Sequence, residues 1–265
     1  MPSLFTGDET PPRASANNTR EQMNIMAASS SQLAMTGVYP PVPTREFGLI
    51  EQNRHNIGST VRFTYFPDIE TLIVKVPSKE QEKAHRTIGS RLTRKVAKMG
   101  VGGLEFQALG ATMYTGPTAS RKESDSTWIN DLVRPGGWPL LVVEAGVSES
   151  MPRLRCDASW WISNSKGEVQ TVLIIEVSRN PKKVEIEKYV PMQIPRTRVQ
   201  PGPVYQAHKV WTTKIDQQAN PPTVLGAPLR LKFGKVLGRS PIPSVEHDIV
   251  FTSAELLEWS RYVFI

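Results

Sequence analysis

Residues 122–150 read KESDSTWINDLVRPGGWPLLVVEAGVSES. The apolar run at 140–143 is too short for a helix and follows Pro135, Gly136, Gly137 and Pro139, so it reads as a buried strand. That strand delivers a carboxylate, Glu144, just ahead of a polar turn. A second acid, Asp125, lies across the turn-rich insert, at the end of a loop or the start of a strand. A charge at the end of a buried strand is costly unless it is paired or holds a metal. Two carboxylates brought together this way make a candidate site for a hard, oxygen-preferring divalent cation. The competing reading pairs them with cations such as Arg153 or Arg155.

Downstream, the sequence predicts a helix from about residue 151 to 163, with Ser150 as cap and Pro152 in the first turn. Leu154, Trp161 and Ile162 can face the core, and Trp160-Trp161 read as core anchors rather than base-stacking platforms. Arg153 and Arg155 fall near the start of this helix, close in sequence to Glu144. Asp157 and Glu176 repeat the Asp125–Glu144 separation. Asp157 is expected to support the helix or an arginine, with Glu176 as an alternate site residue. VQTVLIIEVSRN (169–180) is the clearest strand, and KKVEIEKYV (182–190) alternates as its partner. A Pro-rich connector at 191–203, strands at 204–215 and 229–237 and an extended piece at 248–252 follow. Thr252 and Glu255 then form a capping box for a terminal helix reaching about Tyr262.

Upstream, TVRFTYFP (60–67) and ETLIVKVP (70–77) read as a hairpin. Ser78 with Gln81 is a capping box, and Ala84, Ile88, Leu92, Val96 and Met99 form an apolar stripe at helical spacing. Gly100, Gly102 and Gly103 stop that helix. Glu80 or Glu82 in its first turn could add a metal ligand, or simply face the helix dipole. Its remaining face carries Lys83, Arg86, Arg91, Arg94, Lys95 and Lys98, which reads either as solvated or as a phosphate-contacting face beside the site. Residues 103–116 suit strand or hairpin material, and the Ser/Thr/Pro-rich segment 1–45 is expected to be a disordered arm before a domain at 46–265.

The net charge of +7 favours an acidic partner such as nucleic acid. Cys156 is the only cysteine, which excludes an internal disulfide and a cysteine-based zinc site and fits a reducing compartment. The N-terminus carries no leader pattern and no run has the length of a membrane span, so nucleus or cytoplasm is expected. His55, His85, His208 and His247 have no metal-ligand spacing, and there is no P-loop, dinucleotide or G-x-S-x-G signature.

Taken together, Lys122, Asp125, Trp138-Pro139, Glu144, Ser148-Glu149-Ser150, Arg155, Asp157 and Trp160-Trp161 resemble the PD-(D/E)XK nucleases, in particular the restriction-endonuclease branch and its fungal relatives. The resemblance spans about residues 60–262 and is strongest over 120–178. It implies an α/β fold with a restriction-endonuclease-like mixed sheet flanked by helices. It also implies Mg²⁺ on Asp125 and Glu144, hydrolysis of DNA phosphodiesters and, often, a homodimer. The family lysine is expected two residues after Glu144, where this chain has Gly146. Lys122, Arg153 and Arg155 are the candidate cationic substitutes, and with Arg94 and Lys98 they are the candidate nucleic-acid contacts. The alternative is a non-catalytic module on the same scaffold that binds nucleic acid or protein.

Overall fold

The computed structural model describes residues 35–39, 41–57, 61–147, 151–195 and 203–265. Of the expected arm, residues 1–34 and 40 lie outside these. The rest corrects the expected boundary at 46. Strand β1 (Met35–Tyr39) pairs antiparallel with β3 (Thr71–Val76), and helix α1 (Thr44–Gln52) follows it. A polar, Pro-rich composition says little about a short strand whose backbone is satisfied by an existing sheet edge.

The chain is α/β, with two larger sheets, whose strands interleave in sequence at β4 (Gln107–Leu109), and a two-stranded third. The first has the order β1-β3-β2-β6-β5, with β2 at Arg62–Phe66, β5 at Met113–Thr115 and β6 at Arg121–Glu123. The expected hairpin is β2–β3, turned by a 3-10 segment at Pro67–Ile69. Side chains alternate across a strand, so Phe63 and Tyr65 of β2 join α1 residues Phe47 and Ile50 in one core. Arg62, Thr64 and Phe66 consequently leave β2 on its opposite face.

The second sheet has the order β12-β11-β10-β9-β8-β7-β4. Its strands are β4 (Gln107–Leu109), β7 (Ser126–Ile129), β8 (Leu141–Val147), β9 (Thr171–Ser178), β10 (Lys183–Ile194), β11 (Val204–Asp216) and β12 (Thr223–Leu225). Among the described strands only β8 and β9 run parallel, and the connection between them contains helix α3 (Met151–Asn164). Helix α2 (Lys79–Ala97) has the expected Ser78/Gln81 capping box. The alternation of β8 divides the core. Leu141, Val143 and Ala145 pack with the Ala84–Ile88–Leu92–Val96 stripe of α2, while Val142 packs with Leu154, Trp161 and Ile162 of α3. Glu144 shares the face of Val142 and therefore points to the α3 side.

Strands β13 (Leu229–Leu231) and β14 (Ile249–Phe251), with helices α4 (Phe233–Leu237) and α5 (Ser253–Val263), complete the α2 side of the core. The expected strand 229–237 is thus corrected to a short strand and a helical turn. Asp248 Oδ1 accepts from the Phe233 backbone N–H at 3.0 Å, and Gly238 closes the turn at φ +73. The expected connector at 191–203 is corrected as well, because β10 continues to Ile194. Pro191 falls beyond Tyr189, the last β10 residue paired with β9, so only one flank of the strand is left to pair. Residues 196–202 lie outside the described residues.

Candidate functional site

Asp125 owes its position to a change of sheet. The chain leaves the first sheet at β6 and enters the second at β7, and Ser124 and Asp125 form the corner. Asp125 Oδ2 accepts from the Ala145 backbone N–H at 2.7 Å, which ties the corner to the residue after Glu144. The same oxygen accepts from Lys75 Nζ at 2.6 Å, and Lys75 Nζ lies 3.6 Å from Glu144 Oε2. Two acids on separate elements therefore meet at one ammonium. Both are buried, Asp125 at 2% exposure and Glu144 at 1%, while the Lys75 side chain keeps 18%.

Around this centre the polar groups form a network. Glu144 Oε1 accepts from Trp161 Nε1–H at 2.7 Å and lies 3.5 Å from Lys122 Nζ. Lys122 in turn donates to Asp157 Oδ1 at 2.9 Å and to Thr64 Oγ1 at 3.4 Å. Arg62 sits directly across from Lys75 in the β2–β3 register. Like charges in that relation repel, and Asp125 lies between them, its Oδ1 4.0 Å from Arg62 Nε. Asp125 Oδ1 itself is buried without a hydrogen-bond partner. The first turns of α2 close the far side. Gln81 Nε2 donates to the Ala145 carbonyl at 2.8 Å, His85 Nδ1 is 2.9 Å from Ser126 Oγ, and His85 Nε2 is 3.5 Å from Glu82 Oε1.

These contacts drive the two acids apart in acidity. Burial disfavours the charge on Asp125, but the Lys75 ammonium, His85 and the Lys75 and Ala145 hydrogen bonds hold it well below the usual carboxylate range. Burial pushes Glu144 up. Lys122 and Lys75 offset this only in part, because the charges of Asp125 and Asp157 work against them. Burial would lower the Lys75 ammonium, but Asp125 and Glu144 more than reverse that and raise it. One carboxylate is lowered, its neighbour is raised, and the lysine between them is raised.

The expected site residues separate into groups. Asp125, Glu144 and Lys122 come together, although Lys122 is buried in the ion network. Arg153 pairs with Asp157 at 3.4 Å, and Arg155 donates to both oxygens of Glu187 at 3.0 and 2.8 Å. The cations facing the two acids are therefore Lys75, Lys122 and Arg62, which corrects the expected pairing with Arg153 or Arg155. Arg94 and Lys98 stand at the other end of α2, about 20 and 25 Å along the axis from Gln81 at 1.5 Å per residue. That distance sets them apart from the two-acid centre, and Arg91 and Lys95 beside them are ion-paired to α5 through Glu258 and Glu255.

Glu176 sits across from Gly146 on the neighbouring parallel strand, with its Oε1 accepting from the Met151 N–H at the start of α3 at 2.9 Å. The proposed cap Ser150, with Ser148 and Glu149, lies outside the described residues. Glu80 pairs with Arg179 at 2.7 Å, and Glu82 pairs with Arg62, His85 and Arg86. Both indole N–H groups of the Trp160-Trp161 pair are engaged within the core, Trp160 with Ser120 and Trp161 with Glu144.

Sequence reading overlooked Lys75, Arg62, Gln81 and His85. A signal was present for Lys75, the one charge in the apolar strand TLIVKV, where a solitary cation needs a counter-charge. Among the described residues no three His, Cys, Asp or Glu side chains form a metal-ligand set, so an ion here would rest on two carboxylates. Such a donor set suits Mg²⁺, which takes one or two carboxylates and completes its shell with water and phosphate oxygens. No described helix is long and apolar enough to cross a membrane. No family model matches the chain, and no curated protein is significantly similar to it.

Proposed function

We propose that Asp125, Glu144 and Lys75 form a metal-dependent site that hydrolyses DNA phosphodiesters, on a scaffold resembling the PD-(D/E)XK, restriction-endonuclease-like nucleases. The observation that carries this reading is the convergence of both acids on Lys75 Nζ, beside a buried Asp125 oxygen with no hydrogen-bond partner. The element order supports it: a helix, a strand entered at Asp125, a strand bearing Glu144, and a helix leading to a parallel strand. Gly146 stands where that family has its lysine, and Lys75 supplies the cation from the neighbouring sheet instead.

Asp125 and Glu144 would hold the Mg²⁺, which when bound supplies Lewis-acid activation of water and stabilises charge on the phosphate oxygens. Lys75, raised in pKa and charged, acts as a fixed positive group toward a developing anion rather than as a base. Glu144 serves as a ligand in its ionised form, which its burial disfavours and a bound cation would favour. A homodimer acting on both strands belongs to the same reading.

A second reading has an observation of its own. Both acids are almost fully enclosed and already face ammonium groups, as in a nuclease descendant that keeps the scaffold for binding nucleic acid or protein. The test is incubation of mixed single- and double-stranded DNA with Mg²⁺ or Mn²⁺, comparing wild type with Asp125→Ala and Glu144→Ala and checking the fold of each. Cleavage by wild type, lost in both folded variants, supports the nuclease. DNA binding without cleavage assigns the second reading.

A further inference from the structure

A groove of about 510 Å³ opens between α3 and the outer face of β2. Its walls include Phe66 and Trp160, Arg153 stands in its lining, and Asp157 contributes a carboxylate. This is the volume of a small-ligand site. Phe66 is half-buried and packs on the α3 core, so the groove meets an aromatic surface that is held in place. The Asp157 side chain is 8% exposed and joined through Lys122 to Glu144, at 2.9 Å on one side of the ammonium and 3.5 Å on the other. The groove thus abuts the two-acid centre, with a single ammonium between them.

We propose that this groove binds one unpaired nucleotide, with a preference for bases that carry an exocyclic amine. Aromatic side chains stack any base, because every base has a π-face. An ionised Asp is an acceptor only, so it favours the amino groups of adenine, cytosine and guanine. Thymine offers a single N–H flanked by two carbonyl oxygens, and these repel a carboxylate. Arg153, 37% exposed and paired at 3.4 Å with Asp157, is placed to take the phosphate, whereas Arg155 is held by two hydrogen bonds to Glu187. A paired base cannot enter, so the substrate end here is single-stranded or carries a flipped nucleotide. This inference rests on the nucleic-acid reading of the neighbouring centre, and the experiment separates the two.

Calorimetric titration of the full chain with dAMP, dCMP, dGMP and dTMP, without divalent metal, tests it. Expected is tighter binding of the three amino-bearing nucleotides than of dTMP. Phe66→Ala should weaken all four by about 5- to 100-fold, the range that loss of one base–aromatic stack gives. Arg153→Gln should weaken all four alike, and Arg261→Gln on α5, away from the groove, should leave binding unchanged. No binding by wild type, equal binding of all four nucleotides, or binding retained at full strength in a folded Phe66→Ala protein would each overturn the assignment. DNA cleavage without mononucleotide binding refutes the groove and spares the nuclease. Mononucleotide binding without cleavage does the reverse.

Discussion

Replacing the two acids by their amides should have opposite effects on stability. Asp125 offsets two cations, Lys75 at 2.6 Å and Arg62 at 4.0 Å, on neighbouring strands where they face each other. Asp125→Asn keeps the shape but removes the nearest counter-charge of Lys75, leaving it the more distant Glu144, and leaves Arg62 to Glu82. Breaking a buried pair by removing one partner costs about 3–5 kcal/mol. For a domain of this size that is a fall in Tm of roughly 6–20 °C.

Glu144→Gln loses its attraction to Lys122 and Lys75, but it also sheds desolvation and the repulsion of Asp125 and Asp157, which together dominate. The glutamine oxygen still accepts from Trp161 Nε1–H. The variant should match wild type within about 1 kcal/mol or exceed it, as expected where a functional group is kept at the expense of stability. The pH dependence follows with a definite sign. A carboxylate whose folded pKa is raised stabilises fully below its unfolded value of 4.5 and loses that contribution as pH rises through the folded value. Any advantage of Glu144→Gln should therefore vanish below about pH 4.5 and open as pH rises. Thermal and urea melts followed by circular dichroism between pH 4 and 8 measure this. An Asp125→Asn variant as stable as wild type, or a Glu144→Gln variant as damaged as Asp125→Asn, would refute the electrostatic account.

Further expectations concern the lysine, the anchoring of α3 and the basic helix. Lys75→Met removes the ammonium shared by the two acids and should destabilise by about 3–5 kcal/mol without metal. Mn²⁺ should then raise its Tm more than that of wild type, and an equal rise would show that the acids do not share an ion. Glu187 is held at about 2 because hydrogen bonds from Arg155, Lys209 and Tyr189 outweigh the burial that would raise it. Its contribution is present above 4.5 and lost as pH falls toward 2, so Glu187→Gln should flatten the stability curve across that window, and parallel curves would contradict this. Arg94→Ala combined with Lys98→Ala, about 20 to 25 Å along α2 from Gln81, should leave any cleavage rate unchanged, and a tenfold loss would assign that helix end a contact with the nucleic acid.

Local patterns made most of the architecture legible. The alternation of the hairpin, the two capping boxes, the α2 stripe and the buried run before Glu144 each depend on neighbours within a few residues, and each has its counterpart in the structure. Errors fell where a distant partner decides. β1 is a strand because β3 offers it an edge, and residues 233–237 turn helical with Asp248 bonded to their first N–H. The site divides the same way. Asp125 and Glu144 stood out as isolated acids beside turns and apolar runs, but the identity of their partners depends on how two sheets meet. Lys75 lies 50 residues from Asp125 along the chain, and no spacing rule connects them. Arg153 and Arg155 looked close to Glu144 in sequence, yet the helix carries them to Asp157 and Glu187.

The central claim is that the Asp125–Glu144 centre performs chemistry, and the most direct test is divalent-dependent cleavage by wild type against Glu144→Gln, the variant expected to fold at least as well. The account predicts cleavage of DNA by wild type in Mg²⁺ or Mn²⁺, suppressed by chelator and absent in a fully folded Glu144→Gln protein. Cleavage that persists in Glu144→Gln, or none by wild type with either metal, would contradict it.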